Sequence, residues 1–179
     1  LVREVIVVRW WAQEAGAMIT PGSGHECLGP MVGLWDTTTT RHAAGEEHPV
    51  EADGSVEKTW VLGGRFIRED LAGVGEDGQP HMGLGFIGYD GVRRVYQSVW
   101  MSSTTTAMST STGTIDESGT EITLVGEESD RIGGPPRRFT AVIRIESKDR
   151  HTITQSFVDR RGVLTPAFEI IYTRAITDR

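Results

Sequence analysis

Residues 140–158 read TAVIRIESKDRHTITQSFV, and the alternation in this stretch decides the fold. Ala141, Ile143 and Ile145 fall on one parity and Thr140, Val142 and Arg144 on the other. After Lys148-Asp149 the pattern resumes, with Ile153, Gln155 and Phe157 in one phase. Successive side chains of a strand point to opposite faces, so a period of two marks two half-buried strands joined by a tight turn.

The same grammar extends in both directions. Turn signals recur at short, even intervals: Asp53-Gly54, Asp77-Gly78, Asp90-Gly91, Ser118-Gly119, Gly133-Gly134 with Pro135-Pro136, and Arg161-Gly162. Gly adopts the positive φ of tight hairpin turns freely, and Asp tolerates it. About ten strands are predicted between these signals, near 34–41, 56–62, 65–72, 82–89, 94–101, 107–115, 121–127, 137–146, 151–158 and 166–174. Helix is nearly absent; His25 to Val32 has room for a turn or two, limited by Pro30. A meander of this length must hide its two edge strands, and closing into an up-and-down antiparallel β-barrel removes them. A two-sheet sandwich is the rival, but its Greek-key crossings need a long connection, and the gaps here are mostly short.

Composition bounds the function. A chain of 179 residues with 37% hydrophobic content suits one domain with its own core. Lys and Arg total 18 against 25 Asp and Glu, a net charge of −7 that works against a nucleic-acid surface, which needs a basic stripe. No apolar run reaches the roughly 18 residues of a membrane-spanning helix, so no membrane partner is expected. The single cysteine, Cys27, cannot form an internal disulfide, and the cytoplasm is the expected compartment. Residues 1–17 differ in character from the rest and are not shaped like a secretory signal. They are either an extra element packed on the domain or upstream sequence ahead of a start at Met18; the second reading is preferred, leaving 18–179 as the barrel domain.

The order of motifs resembles the bacterial DUF1579 family of unknown function. It is carried by Gly33-Leu34-Trp35-Asp36, Leu62-Gly63-Gly64-Arg65-Phe66, Gly85-Phe86-Ile87-Gly88-Tyr89-Asp90, Tyr96 with Trp100, Gly113-Thr114-Ile115-Asp116, Gly126-Glu127 and Glu169-Ile170-Ile171-Tyr172-Thr173-Arg174. The match runs from about Gly24 to Arg174. The resemblance implies a calycin-like barrel of the lipocalin, fatty-acid-binding and nitrobindin kind. Haem barrels of the nitrobindin kind use a histidine near the C-terminal strands as iron ligand; no histidine lies in the last predicted strand, and His151 is the sole candidate.

Several local patterns have bland explanations. Gly83-Leu84-Gly85-Phe86-Ile87-Gly88 spells GxGxxG but leads into a hairpin turn, whereas a dinucleotide site needs a following helix; glycines where a barrel strand bends account for it. His25-Glu26-Cys27 are adjacent, and adjacent ligands seldom converge on a metal, so no metal is expected. No cofactor is expected either. The hydroxyl-rich run 102–114 reads as strand, hairpin and strand, with some hydroxyls available to the lumen.

Polar residues inside apolar strands and aromatic residues on shared faces nominate the site: Trp100, Met108, Arg144, Gln155, Glu169 and Tyr96. Tyr96 and Trp100 lie four apart on one predicted strand and so emerge on the same face. Trp100 with Met108 would line a pocket, since ligand sites are apolar with a few convergent polar groups. Arg144, if inward, would need Glu169, Glu127 or the acidic head of a ligand as partner. The leading reading is non-enzymatic binding of a small, largely apolar ligand in the lumen, because barrels of this size are filled by side chains or hold one small molecule. One alternative is an enzyme working by proton transfer or hydrolysis through a buried Glu169 or Glu127. Another is a filled barrel acting by association, for instance as a homodimer, whose sign would be an exposed apolar patch.

Overall fold

The computed structural model describes residues 20–42, 48–75, 78–129 and 134–176; the expectations for residues 1–17 and Met18, and Asp77 and Gly133 of the predicted turns, lie outside them. A four-residue helix α1 (Ser23–Glu26) and a 3₁₀ turn (Gly29–Met31) precede ten strands. These are β1 (Gly33–Arg41), β2 (Val50–Val61), β3 (Phe66–Val74), β4 (Pro80–Asp90), β5 (Val95–Ser102), β6 (Ser109–Ile115), β7 (Glu121–Glu128), β8 (Arg137–Ser147), β9 (Arg150–Val158) and β10 (Leu164–Arg174). Each strand pairs antiparallel with its chain neighbours, and β1 pairs with β10 from Trp35↔Arg174 to Arg41↔Phe168. The result is a closed up-and-down barrel with no free edge. Among the described residues no helix is long and apolar enough to cross a membrane.

One predicted turn is absent. Asp53-Gly54 lies inside β2, which starts six positions earlier than expected, at Val50. Gly54 faces Gly73 on β3, and a Cβ at Gly54 would stand 3.2 Å from the Ala72 carbonyl. This glycine therefore marks a close approach of two strands. The turn after β4 is led by Asp90, whose carboxylate accepts hydrogen bonds from the backbone N–H groups of Val92 and Arg93; the positive φ falls on Arg94, not on Gly91.

The N-terminal segment closes the lower end of the barrel. At the lower end α1 and the 3₁₀ turn form a plug: Leu28 and Met31 are fully buried and pack with Ile67, Ile87, Ile122 and Ile143. The indole N–H of Trp35 donates to the Met31 carbonyl at 2.8 Å, and the Tyr96 hydroxyl donates to the Gly24 carbonyl at 2.9 Å. Arg174 lays its guanidinium over the Trp35 ring and donates to the carbonyls of Pro30 and Val32.

Close strand contact also governs β6 and β7. Gly113 pairs with Leu124, and a Cβ there would fall onto the Thr123 carbonyl and the Leu124 Cα. The obstacle is backbone, which cannot rotate away, so Gly113→Ala is expected to cost about 3 kcal/mol, the upper range for overpacking. Gly29→Ala, where an added Cβ meets nothing within 4 Å, is the control and should leave the urea midpoint nearly unchanged.

Candidate functional site

Register and burial together assign each strand's faces. From β1 to β5 the inward set includes Trp35 and Thr37; Val56, Lys58 and Trp60; Ile67, Glu69 and Leu71; Gly83, Gly85 and Ile87; and Tyr96, Ser98 and Trp100. From β6 to β10 it includes Ser109 and Ser111; Ile122 and Leu124; Phe139, Ala141 and Ile143; His151, Ile153 and Gln155; and Phe168, Ile170 and Tyr172. Lower members of this set are buried, whereas Leu71, Ser98, Trp100, Phe168 and Ile170 point inward yet are only half-buried. Inward side chains that water still reaches imply an open upper lumen above a packed lower half.

The junction of the two halves is polar. Lys58 is fully buried, and its ammonium lies 3.4 Å from the Glu69 carboxylate, its direct partner across β2 and β3. The same nitrogen lies 3.0 Å from His151 Nε2 and 4.0 Å from the centre of the Tyr172 ring. His151 is stacked on Tyr172 at 4.2 Å and meets Trp35 edge-on at 4.3 Å. Beside Lys58 on β1 stands Gly33, at φ +137°, where an added Cβ would collide with the Arg174 guanidinium.

Burial dominates the protonation chemistry of this cluster. It pulls the Lys58 ammonium below the ordinary lysine value, against the opposing attraction of Glu69. It also drives the Tyr172 phenol well above its usual value. His151 is lowered to about 2 by burial first and then by the charges of Lys58 and Arg174, so its ring stays neutral. A neutral ring accepts the Lys58 hydrogen bond at Nε2 and keeps its own hydrogen on Nδ1, which is sealed from water and has no partner.

The six nominated residues separate. Trp100 is inward, with its indole against the β4 backbone in the space that side chains at Gly83 and Gly85 would fill; a Cβ at Gly85 would stand 2.7 Å from the ring. The GxGxxG run thus accommodates an indole. Gln155 is inward and buried, its amide donating to Glu128 at 3.1 Å. Tyr96 shares Trp100's face, but it lies in the packed core with its hydroxyl tied to the plug. Arg144 points outward and pairs with Glu121 at 2.7 Å across β7 and β8, because Ala141, Ile143 and Ile145 take the inward phase. Glu169 points outward between Thr40 and Thr154, since Phe168 and Ile170 occupy the inward positions on either side. Met108 belongs to the mouth loop and is 66% exposed. Glu127 is outward, opposite Arg138.

The hydroxyl-rich run divides by parity. Ser109 and Ser111 face inward and Thr110, Thr112 and Thr114 outward, and Ser111 bonds Ser98 at 2.7 Å. At the mouth, Arg137, Phe157 and Arg160 are among the residues lining a recess of about 650 Å³, with the Arg137 guanidinium over the Phe157 ring.

Sequence reading missed Lys58, Glu69 and Tyr172, and considered His151 only as an iron ligand. The signal was phase. Lys58 alternates with Val56 and Trp60, and Glu69 with Ile67 and Leu71, which puts each ionisable group on the apolar parity. A haem does not fit at His151: Nε2 is engaged by Lys58, Nδ1 is sealed, and the ring is held between Tyr172 and Trp35. Among the described residues no three His, Cys, Asp or Glu side chains gather to hold a metal ion. His25 instead accepts the Gly22 N–H at Nδ1 and meets Tyr89 edge-on.

The model of DUF1579, a protein family of unknown function, matches residues 20–174. No curated protein matches the sequence. Among solved structures, Rv2717c from M. tuberculosis is similar with a TM-score of 0.64 and 17% identity, covering 87% of this chain and 99% of that one. The S-type phycobiliprotein lyase CPES from Guillardia theta gives a TM-score of 0.58 and 15% identity, covering 86% of this chain and 93% of that one.

Proposed function

The chain belongs to the DUF1579 family, and we propose that its barrel is a non-enzymatic container for one small, largely apolar molecule held in the upper lumen. The carrying observation is Trp100, inward by register yet only partly buried, because a lumen filled by its own side chains would cover it. Leu71, Phe168 and Ile170 add apolar wall, and Ser98, Ser111 and Gln155 add a few polar groups. Below them the Lys58–Glu69–His151 cluster forms a floor whose members already bond one another. That closure disfavours the enzymatic alternative, since Glu69 is committed to Lys58 and neither Glu169 nor Glu127 faces the lumen.

A charged outer wall is consistent with an aqueous rather than a lipid setting. Glu51, Asp53 and Glu57 on β2 and the Arg144–Glu121 pair point outward, where lipid would penalise them. A reducing cytoplasm suits the free Cys27 thiol.

A second reading, pairing of two copies, is favoured by the outer face of β3, β4 and β5. Phe66, Val74 and Met82, the last 62% exposed, project there with Leu84, Phe86, Val99 and Met101. The only charges among the outward residues Phe66–Val74 of β3 are Arg68 and Asp70, which pair at 2.6 Å. In a chain of net charge −7 this neutral apolar face is where two copies meet least repulsion.

Native mass spectrometry of the protein purified from its own host tests both readings. The expected result is a reproducible extra mass of a few hundred daltons or less that disappears on denaturation, with twice the chain mass for the paired form. A bare chain mass at every concentration would overturn tight ligand storage and pairing alike.

A further inference from the structure

We propose that the molecule held in the lumen presents a flat aromatic ring, and that Trp100 is the surface on which it stacks; this rests on the lumen-binding reading above. The indole is set back into the barrel wall: Gly85, opposite it on β4, and Gly83, diagonal to it, carry no side chains, and any Cβ there would collide with the ring. A tryptophan serving only as filler would gain by projecting into the lumen. Here two missing side chains let it retreat to the wall, which keeps the lumen open while leaving part of the indole uncovered. In a ten-strand ring β5 and β10 stand on opposite sides, so half-buried Phe168 faces the lumen from the wall opposite Trp100. Two partly uncovered aromatic side chains on facing walls favour a planar ring over a flexible chain, because offset or edge-on ring contacts add to plain area burial. The nearby Ser98 and Ser111 hydroxyls already bond each other, whereas the buried hydroxyl of Ser109, the residue paired with Trp100 on β6, has no partner among the described residues and stands beside the indole as a polar contact for a ring substituent.

The test compares 2-naphthol with decahydro-2-naphthol, its saturated counterpart of similar size and polarity, by calorimetric titration of the full chain. Naphthol is expected to bind about two- to twelvefold more tightly, the range of aromatic pair energies. Trp100→Leu should erase that preference, and Trp100→Phe should keep most of it, which separates loss of a ring from loss of fold. Equal affinity of the two probes for the unaltered chain would overturn the ring assignment while leaving lumen binding intact. Failure of both probes to bind would overturn the ring assignment too; if native mass spectrometry also returned a bare chain, the binding reading would fail with it.

Discussion

Lys58→Met is expected to destabilise the barrel by about 3 kcal/mol, the lower end for breaking a buried ion pair. For a domain of this size that lowers the melting temperature by roughly 10 °C. The reason lies in what is left behind. Methionine fills most of the lysine's volume, so packing changes little, but Glu69 remains enclosed with its side chain 12% exposed and its counter-charge gone. No other ion pair among the described residues supplies Glu69 with a second cation. The lower end of the range applies because that residual exposure admits some water to the carboxylate.

The double variant Lys58→Met with Glu69→Leu removes both charges and should recover to within about 1 kcal/mol of the unaltered chain, since a well-packed apolar pair often equals a buried ion pair. Urea unfolding of the two single variants and the double one closes the cycle. No recovery in the double variant would mean that the lysine acts through its contacts with His151 and Tyr172 and not through Glu69.

This pair also shows how far the sequence could be read. Strand positions are legible because period two and turn residues are local properties, but parity alone does not say which face is the lumen: Arg144, nominated as a site residue, lies outside against Glu121 because Ala141, Ile143 and Ile145 take the inward phase. The same parity applied to VEKTWV would have placed Lys58 inside with Val56 and Trp60. A buried lysine is unusual enough that composition argues against it, and only its partners make it tolerable. Those partners come from β3, β9 and β10, and no local pattern says which strands a closed ring brings across the lumen. Asp53-Gly54 failed for a related reason: the dipeptide looks like a turn, but Gly54 serves a close approach to Gly73 that pairing alone reveals. Trp100 and Tyr96 illustrate the remaining gap. Their shared face was readable, while the plug that claims Tyr96 and leaves Trp100 open belongs to the three-dimensional closure of the lower end.

Acid sensitivity is the second large effect. His151 is held neutral with a pKa lowered to about 2, whereas an unfolded chain's histidine titrates near 6.5. Between these values the unfolded state binds a proton that the folded state refuses. Stability from a depressed folded pKa is present above the unfolded value and lost as pH falls, here at about 1.4 kcal/mol per pH unit below roughly 6.5. Acidifying from pH 7 to pH 5 should therefore remove about 2 kcal/mol from this group alone. Its neighbours do not mask the slope. Asp116, held at about 2 by the Ser118 hydroxyl and backbone N–H groups, contributes only below the ordinary carboxylate range. Lys58, with its folded value lowered by burial, adds slope of the same sign on the alkaline side. Burial and the charges of Lys58 and Arg174 all oppose protonation of the ring, while the Glu69 carboxylate on β3 is engaged by Lys58 and the Tyr172 phenol stacked from β10 is itself pushed up by burial. Urea midpoints between pH 7 and pH 5 measure the slope, and His151→Gln, which cannot titrate, should flatten it whatever the substitution costs in absolute stability. Persistence of the full slope in His151→Gln would locate the acid-sensitive group elsewhere and remove the case for a neutral imidazole accepting the Lys58 hydrogen bond.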